Sequence, residues 1–282
     1  GVIIPPSILM VVWGGLMTVS IGGLFLAGVI PGILVAASQM ITVYIYAKIY
    51  GYPIYSRSTL KEAALAIFFA IPPLMTPLII VGGIVAGFFT PTEASAIAVM
   101  YSLALGVFGY RTIKGKDIPK VFYDSARFAA ISLFCIGTAS AFGWLLAYYK
   151  IPFAIVEFLK PFGVGAISTG LIVAGAFLFI GMFIDAIPAI IILGTVLWPL
   201  GEFAGMHPIH FAIIGVISLA FGLVTPPYGL CLLIACAVGE IKVVQALKDV
   251  GVILLPMLCV LMFVIFLPEV ILWLPRDRKS VV

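Results

Sequence analysis

Charge is what this chain has least of. Only 9% of its 282 residues are Asp, Glu, Lys or Arg, whereas 64% are hydrophobic. Soluble domains are about one quarter charged, so a water-facing globular surface is excluded. Histidine is nearly missing, with two residues, and the four cysteines (Cys135, Cys231, Cys236, Cys259) stand in apolar runs without paired metal spacing. They read as small core residues, not as a redox or zinc framework. No G-x-x-x-x-G-K-[S/T] run occurs, so no nucleotide is expected through a P-loop. No Ser/His/Asp set and no second intramembrane Asp accompanies Asp185, which argues against an intramembrane protease or any other enzyme. The net charge of +4 comes from a few loops and reports topology, so it implies no nucleic-acid partner.

What the chain has instead is long apolar runs. They predict helices at 8–30, 31–49, 63–89, 94–110, 128–149, 165–182, 189–204, 209–238 and 250–274. Runs of about 20 residues span a bilayer as helix, and a β-barrel would show short alternating segments instead. The class is therefore all-α, a polytopic membrane protein whose first partner is the lipid bilayer.

Two stretches nearly repeat one another: Gly1-Val2-Ile3-Ile4-Pro5-Pro6-Ser7 and Gly222-Leu223-Val224-Thr225-Pro226-Pro227-Tyr228. Proline removes a backbone donor and bars the preceding residue from helical conformation. Bare carbonyls in hydrocarbon cost several kcal/mol each, so such a break survives only where protein, water or an ion satisfies them. Two of them at matching spacing point to the centre of a transporter built from repeats. After each break comes an apolar stretch, a second proline (Pro31, Pro256) and a final helix ending near Tyr50 or Leu274.

Basic loops orient the halves. If the 50–62 loop (Arg57, Lys61) and the 111–127 stretch (Arg111, Lys114, Lys116, Lys120, Arg127) are cytoplasmic, as the positive-inside rule requires, the repeats run in opposite senses. Segment 239–249 then lies on the cytoplasmic face and its counterpart 17–28 outside. The expected organisation is 1–50 as the end of a first inverted repeat, with unwound helix, surface helix and scaffold helix. Residues 51–127 form a connecting helix pair with basic loops. Residues 128–275 form the second repeat, with a re-entrant hairpin at 165–204 and an unwound helix at 209–238, and 276–282 a tail. The tail's basic residues fall outside in this topology, against the rule. A run of helices precedes the break at Gly222 but none precedes Gly1, so a further hairpin and helices are expected before this chain.

Asp185 lies in Gly181-Met182-Phe183-Ile184-Asp185-Ala186-Ile187-Pro188, between two half-length helices. A charge at membrane depth costs about 2.5–3.5 kcal/mol on insertion scales and usually faces a cavity and a partner. Asp185 thus reads as a cation-site ligand or its support, or as the cap of the second hairpin helix. The Gly222–Pro227 stretch offers carbonyls and the Thr225 hydroxyl, oxygen donors suited to Na⁺; the other reading is a proline kink satisfied by neighbouring helices. Gly1–Ser7 reads the same way, with Ser7 as the hydroxyl. Thr90, Pro91 and Glu93 form a capping-box signature for the 94–110 helix, with a gating role for Glu93 as the alternative. His207 and His210 are placed in a loop outside the bilayer.

The residues at Gly1–Ile8, Ala27–Gly32 (Ala-Gly-Val-Ile-Pro-Gly), Gly87–Ala96 (Gly-Phe-Phe-Thr-Pro-Thr-Glu-Ala-Ser-Ala), His207–Phe211 and Gly222–Gly229 resemble the large membrane subunit of tripartite ATP-independent periplasmic (TRAP) transporters. The resemblance covers essentially the whole chain, in order. It implies an inverted-repeat, elevator-type, sodium-driven carrier for organic acids. A periplasmic substrate-binding protein would deliver the cargo, and a small membrane subunit, separate or fused, would complete the complex. It implies sodium ligation by Gly222, Val224, Thr225 and Pro227 with Asp185, and by Gly1 and Pro6 in the first half. Ser7, Asp185, Pro188, Thr225 and Tyr228 are the implied substrate contacts. Tyr228 stands where that family usually carries a small Val. A stand-alone sodium–dicarboxylate symporter, without a delivery protein, is the competing expectation.

Overall fold

The computed structural model describes residues 2–52 and 59–276. Among them every regular element is helical. In chain order these are α1 (Ile8–Met17), α2 (Ile21–Tyr50), α3 (Leu60–Val85), α4 (Pro91–Ala104), α5 (Ile118–Tyr148) and α6 (Ile151–Leu159). They continue with α7 (Ala166–Gly181), α8 (Ala186–Phe203), α9 (Pro208–Gly222), α10 (Leu230–Val238), α11 (Val243–Phe266) and α12 (Pro268–Arg276). Six helical stretches are long and apolar enough to cross a bilayer, whereas α1, α7 and α9 are apolar but shorter.

The chain packs as two compact units, residues 1–42 with 132–282, and residues 43–131. In the first, α7 lies along α9, α8 folds back on α7, and α1 rests against α8 and α9. Trp13 of α1 sits at the centre with no exposed surface. Its ring is 5.4 Å from Phe177 of α7 and 6.0 Å from Phe211 of α9. It fits there because α9 has no side chain at Gly215, where a Cβ would fall inside the indole. His210, buried on the first turn of α9, holds Val264 O of α11 at 2.8 Å. That carbonyl lies in the last turn of α11, where intrahelical donors run out. The expected loop position for His210 is therefore corrected: Pro208 starts α9 at once, with His207 as its N-cap accepting from Ile209 N.

The second unit contains α3 and α4, packed on one another. α3 keeps its helix through Pro72, Pro73 and Pro77. Pro73 removes the donor that would serve Phe69 O, and the Tyr110 hydroxyl donates to that carbonyl instead, at 3.1 Å. Tyr101 Oη donates to Pro72 O at 2.9 Å, and the Thr76 and Ser102 hydroxyls lie 3.3 Å apart. At Phe69 O a side chain from the neighbouring segment thus supplies the donor that proline lacks, one way in which membrane helices tolerate proline. Tyr110→Phe is expected to weaken the α3–α4 pair by about 0.6 kcal/mol and at most about 2. Equilibrium unfolding in mixed micelles reads it, and an unchanged free energy would show that the hydroxyl is idle. The capping box at Thr90–Glu93 is present, with Glu93 Oε2 accepting from Thr90 N at 2.8 Å and Glu93 N donating to Thr90 Oγ1 at 3.3 Å. Thr59 and Glu62 form a second one at the start of α3.

Helix boundaries depart from the sequence pattern at several places. The 8–30 run is cut after Met17 by Thr18 in the left-handed region (φ 53°), and α2 then runs unbroken through Pro31. The segment expected on the membrane face, 239–249, is mostly the start of α11, which continues through Pro256. The final run bends at Leu267 into α12. α6 has no predicted counterpart; it packs on α8. Arg57 and the basic residues beyond Arg276 lie outside the described residues.

Candidate functional site

The second Pro-Pro stretch breaks the helix as its residues require. α9 stops at Gly222 and α10 starts at Leu230, with seven residues between them out of helix. Pro226 and Pro227 supply no N–H there, and the Pro226–Pro227 bond is cis, as is Pro5–Pro6. Local donors satisfy part of the turn. Thr225 N donates to Gly222 O at 2.9 Å, Thr225 Oγ1 to Phe221 O at 2.7 Å, and Cys231 N to Leu223 O at 3.0 Å. Gly229 (φ 42°) closes it; a Cβ there would lie 2.9 Å from Thr225 O. No backbone donor among the described residues reaches the carbonyls of Val224 or Thr225.

The hairpin comes to this break. α7 ends at Gly181, a four-residue tip follows, and α8 begins at Ala186. Gly181 and Gly222 make the contact: a Cβ on Gly222 would lie 2.7 Å from Leu178 O and 2.8 Å from Gly181 Cα. Between tip and break is a cavity of about 310 Å³, walled by Gly181, Phe183, Asp185, Pro188, Leu223 and Tyr228, with Ile184 and Leu230 completing it. Asp185 is exposed and occupies the N-cap position of α8, yet its side chain makes no capping bond. Asp185 lines the cavity, and of its two sequence readings the side-chain cap is not realised.

Three predicted residues, Asp185, Pro188 and Tyr228, therefore line one cavity. Gly222 stands at its edge through Gly181, and Val224 and Thr225 are half-buried in the adjoining turn, with Pro227 exposed. Thr225 is not a lining residue; its hydroxyl proton is committed to Phe221 O, leaving oxygen lone pairs.

Pro6 and Ser7 belong to the first break, ahead of α1, and do not line this cavity. Gly1 lies outside the described residues. Ser7 is 2% exposed, and its Oγ has no hydrogen-bond partner among the described residues. α2 accommodates this break through two glycines one turn apart. A Cβ on Gly28 would lie 2.9 Å from Ile3 O, and one on Gly32 would meet Ile4. The Ala27–Gly32 motif is thus the seat of the first break, a role its sequence alone did not declare. Sequence reasoning placed Gly181 at the hairpin break but not its contact with Gly222, whose partner atoms lie about forty residues away in the chain.

Residues 1–270 match the family model described as tripartite ATP-independent periplasmic transporter, DctM component. The chain is 36% identical over 279 residues to protein YgiK of Salmonella typhimurium, covering 98% of this chain and 63% of the relative. It is 35% identical over 276 residues to the C4-dicarboxylate TRAP transporter large permease protein DctM of Pseudomonas aeruginosa, covering 98% and 65%. To the sialic acid TRAP transporter large permease protein SiaM of Vibrio cholerae it is 31% identical over 276 residues, covering 98% and 65%. The chain thus spans a little less than two thirds of these relatives. With its paired breaks, its hairpin and six apolar spans, the chain belongs to the DctM component family of TRAP transporters, multi-pass proteins of the bacterial inner membrane that are permease subunits and not enzymes.

Proposed function

We propose that this chain is the site-bearing part of a permease subunit that imports small organic acids with sodium, after delivery by a periplasmic binding protein and together with a small membrane subunit. The observation that supports it best is the meeting of hairpin tip and unwound helix at one cavity that contains a carboxylate. Sodium is cargo in this reading. The carbonyls of Val224 and Thr225, which no donor among the described residues reaches, the Thr225 hydroxyl and Asp185 offer it oxygen, as hard cations require. The N-terminal ends of α8 and α10, both at the cavity, carry partial positive charge, which suits the anionic group of a carboxylate. Relatives named for C4-dicarboxylates, sialic acid and 2,3-diketo-L-gulonate all handle organic acids. The first break, with its orphaned Ser7 hydroxyl, would serve a second site in the same way. Alternating access would follow from movement of the body that holds both breaks.

The test is solute uptake into proteoliposomes by the full-length protein with its delivery protein, with and without a sodium gradient. Thr225→Val combined with Asp185→Asn removes a hydroxyl ligand and the only carboxylate of the cavity, each worth about 1–3 kcal/mol when a charged partner is left unpaired. Sodium-dependent uptake should fall by about tenfold or more. Unchanged uptake in the double variant refutes the site.

A further inference from the structure

The basic stretch between the two halves has no part in the cavity, and the structure gives it a shape the sequence pattern did not. It is not a loop. α5 starts at Ile118, ten residues ahead of its apolar run, so Lys120, Tyr123 and Arg127 fall on consecutive turns of one helix. At 100° per residue these three lie within about 60° of one another. Ile118, Val121 and Phe122 occupy the opposite side, and Phe128 lies at the flank between them and the stripe. This is a basic amphipathic segment, the pattern of helices that lie at a membrane surface.

Length and exposure agree. At 1.5 Å per residue the 31 residues of α5 reach about 46 Å, well beyond a hydrocarbon core of about 30 Å. The excess falls at the level of the headgroups. Phe122, Tyr123 and Phe128 are 57%, 69% and 74% exposed. Among the described residues none of Lys116, Lys120 and Arg127 is ion-paired. Within 111–127 five cations (Arg111, Lys114, Lys116, Lys120, Arg127) stand with two acids, Asp117 and Asp124, and Asp117 is engaged by Lys114 N at 3.0 Å.

We propose that this stripe is a binding surface for anionic phospholipid headgroups. The cations pair with lipid phosphate and the rings sit among the acyl-chain ends, holding the 43–131 unit at one leaflet. Charge complementarity selects the occupant: a cluster of four or more Lys and Arg beside a membrane helix attracts acidic lipid at about 1 kcal/mol per residue. The inference rests on membrane residence and stands apart from the transport reading.

The experiment offers the full-length protein a mixture of phosphatidylglycerol and phosphatidylcholine in nanodiscs and measures the retained lipid by mass spectrometry. Wild type should prefer phosphatidylglycerol. Lys116→Gln, Lys120→Gln and Arg127→Gln together should lower that preference by about a hundredfold, each contributing about fivefold. The charge-keeping set Lys116→Arg, Lys120→Arg and Arg127→Lys should retain it, and added salt should weaken it in wild type. Equal preference in the Gln variant, loss in the charge-keeping one, or insensitivity to salt overturns the proposal. So does loss of a bound protein while lipid preference stays, since the surface would then be a protein dock.

Discussion

A single methyl group at position 222 is expected to cut sodium-driven uptake by about five- to a hundredfold. Gly222→Ala places its Cβ 2.7 Å from Leu178 O and 2.8 Å from Gly181 Cα. Both are backbone atoms, so no rotamer change relieves the clash. Overpacking of this kind costs about 1–3 kcal/mol, which corresponds to that range of rate or affinity. The displaced atoms matter more than the count of contacts. Pushing α7 from α9 at this level moves the hairpin tip, and with it Asp185, away from the turn at Thr225. Gly181→Ala should act alike, because its Cβ would lie 3.1 Å from Leu219 O. The control is Gly175→Ala in the same helix, where nothing lies within 4 Å; there uptake should be unchanged and helix propensity slightly improved. Equal uptake by the variants at 175 and 222 would sink the idea that the glycine contact sets the tip.

The largest effect on stability is expected at Trp13. Trp13→Ala empties the centre of the first unit between Phe177, Phe211 and Gly215, and should cost about 3–5 kcal/mol. Trp13→Phe separates packing from polarity. It loses part of the ring, yet it also removes the Nε1–H, which is buried without a partner in the described structure and itself costs about 1–3 kcal/mol. The Phe variant should therefore recover most of what the Ala variant loses. Reversible unfolding in detergent checks both; an Ala variant as stable as wild type would mean that α1 is not the keystone of the packing.

Legibility in the sequence followed the range of the physical cause. Pro226-Pro227 and Gly181–Pro188 act on their own backbone, so the break and the hairpin could be read from the chain directly. Thr90-Pro91-Thr92-Glu93 is likewise local, and its two bonds are present. Pro31 misled for an instructive reason. Proline forbids a donor and crowds the preceding turn, but a helix can hold its course through it, as the partly buried α2 and the exposed α3 both do. His210, Gly28 and Gly181 owe their roles to atoms far along the chain: Val264 O, Ile3 O and Leu219 O. No window of sequence contains both partners. The cavity at Asp185 was half legible in the same sense, since each wall could be named but not that they face one another.

The lengths of α7 and α9 carry a consequence for how the protein is made. With 16 and 15 residues they reach about 24 Å and 22 Å, short of a hydrocarbon core of about 30 Å. Neither is a stable passenger in lipid alone, for each would end with naked carbonyls below the surface. α3, by contrast, has enough length to settle by itself. Biogenesis is therefore expected to be ordered in time: long helices should enter as they emerge from the ribosome, and the shorter ones should wait for a docking partner before they leave water.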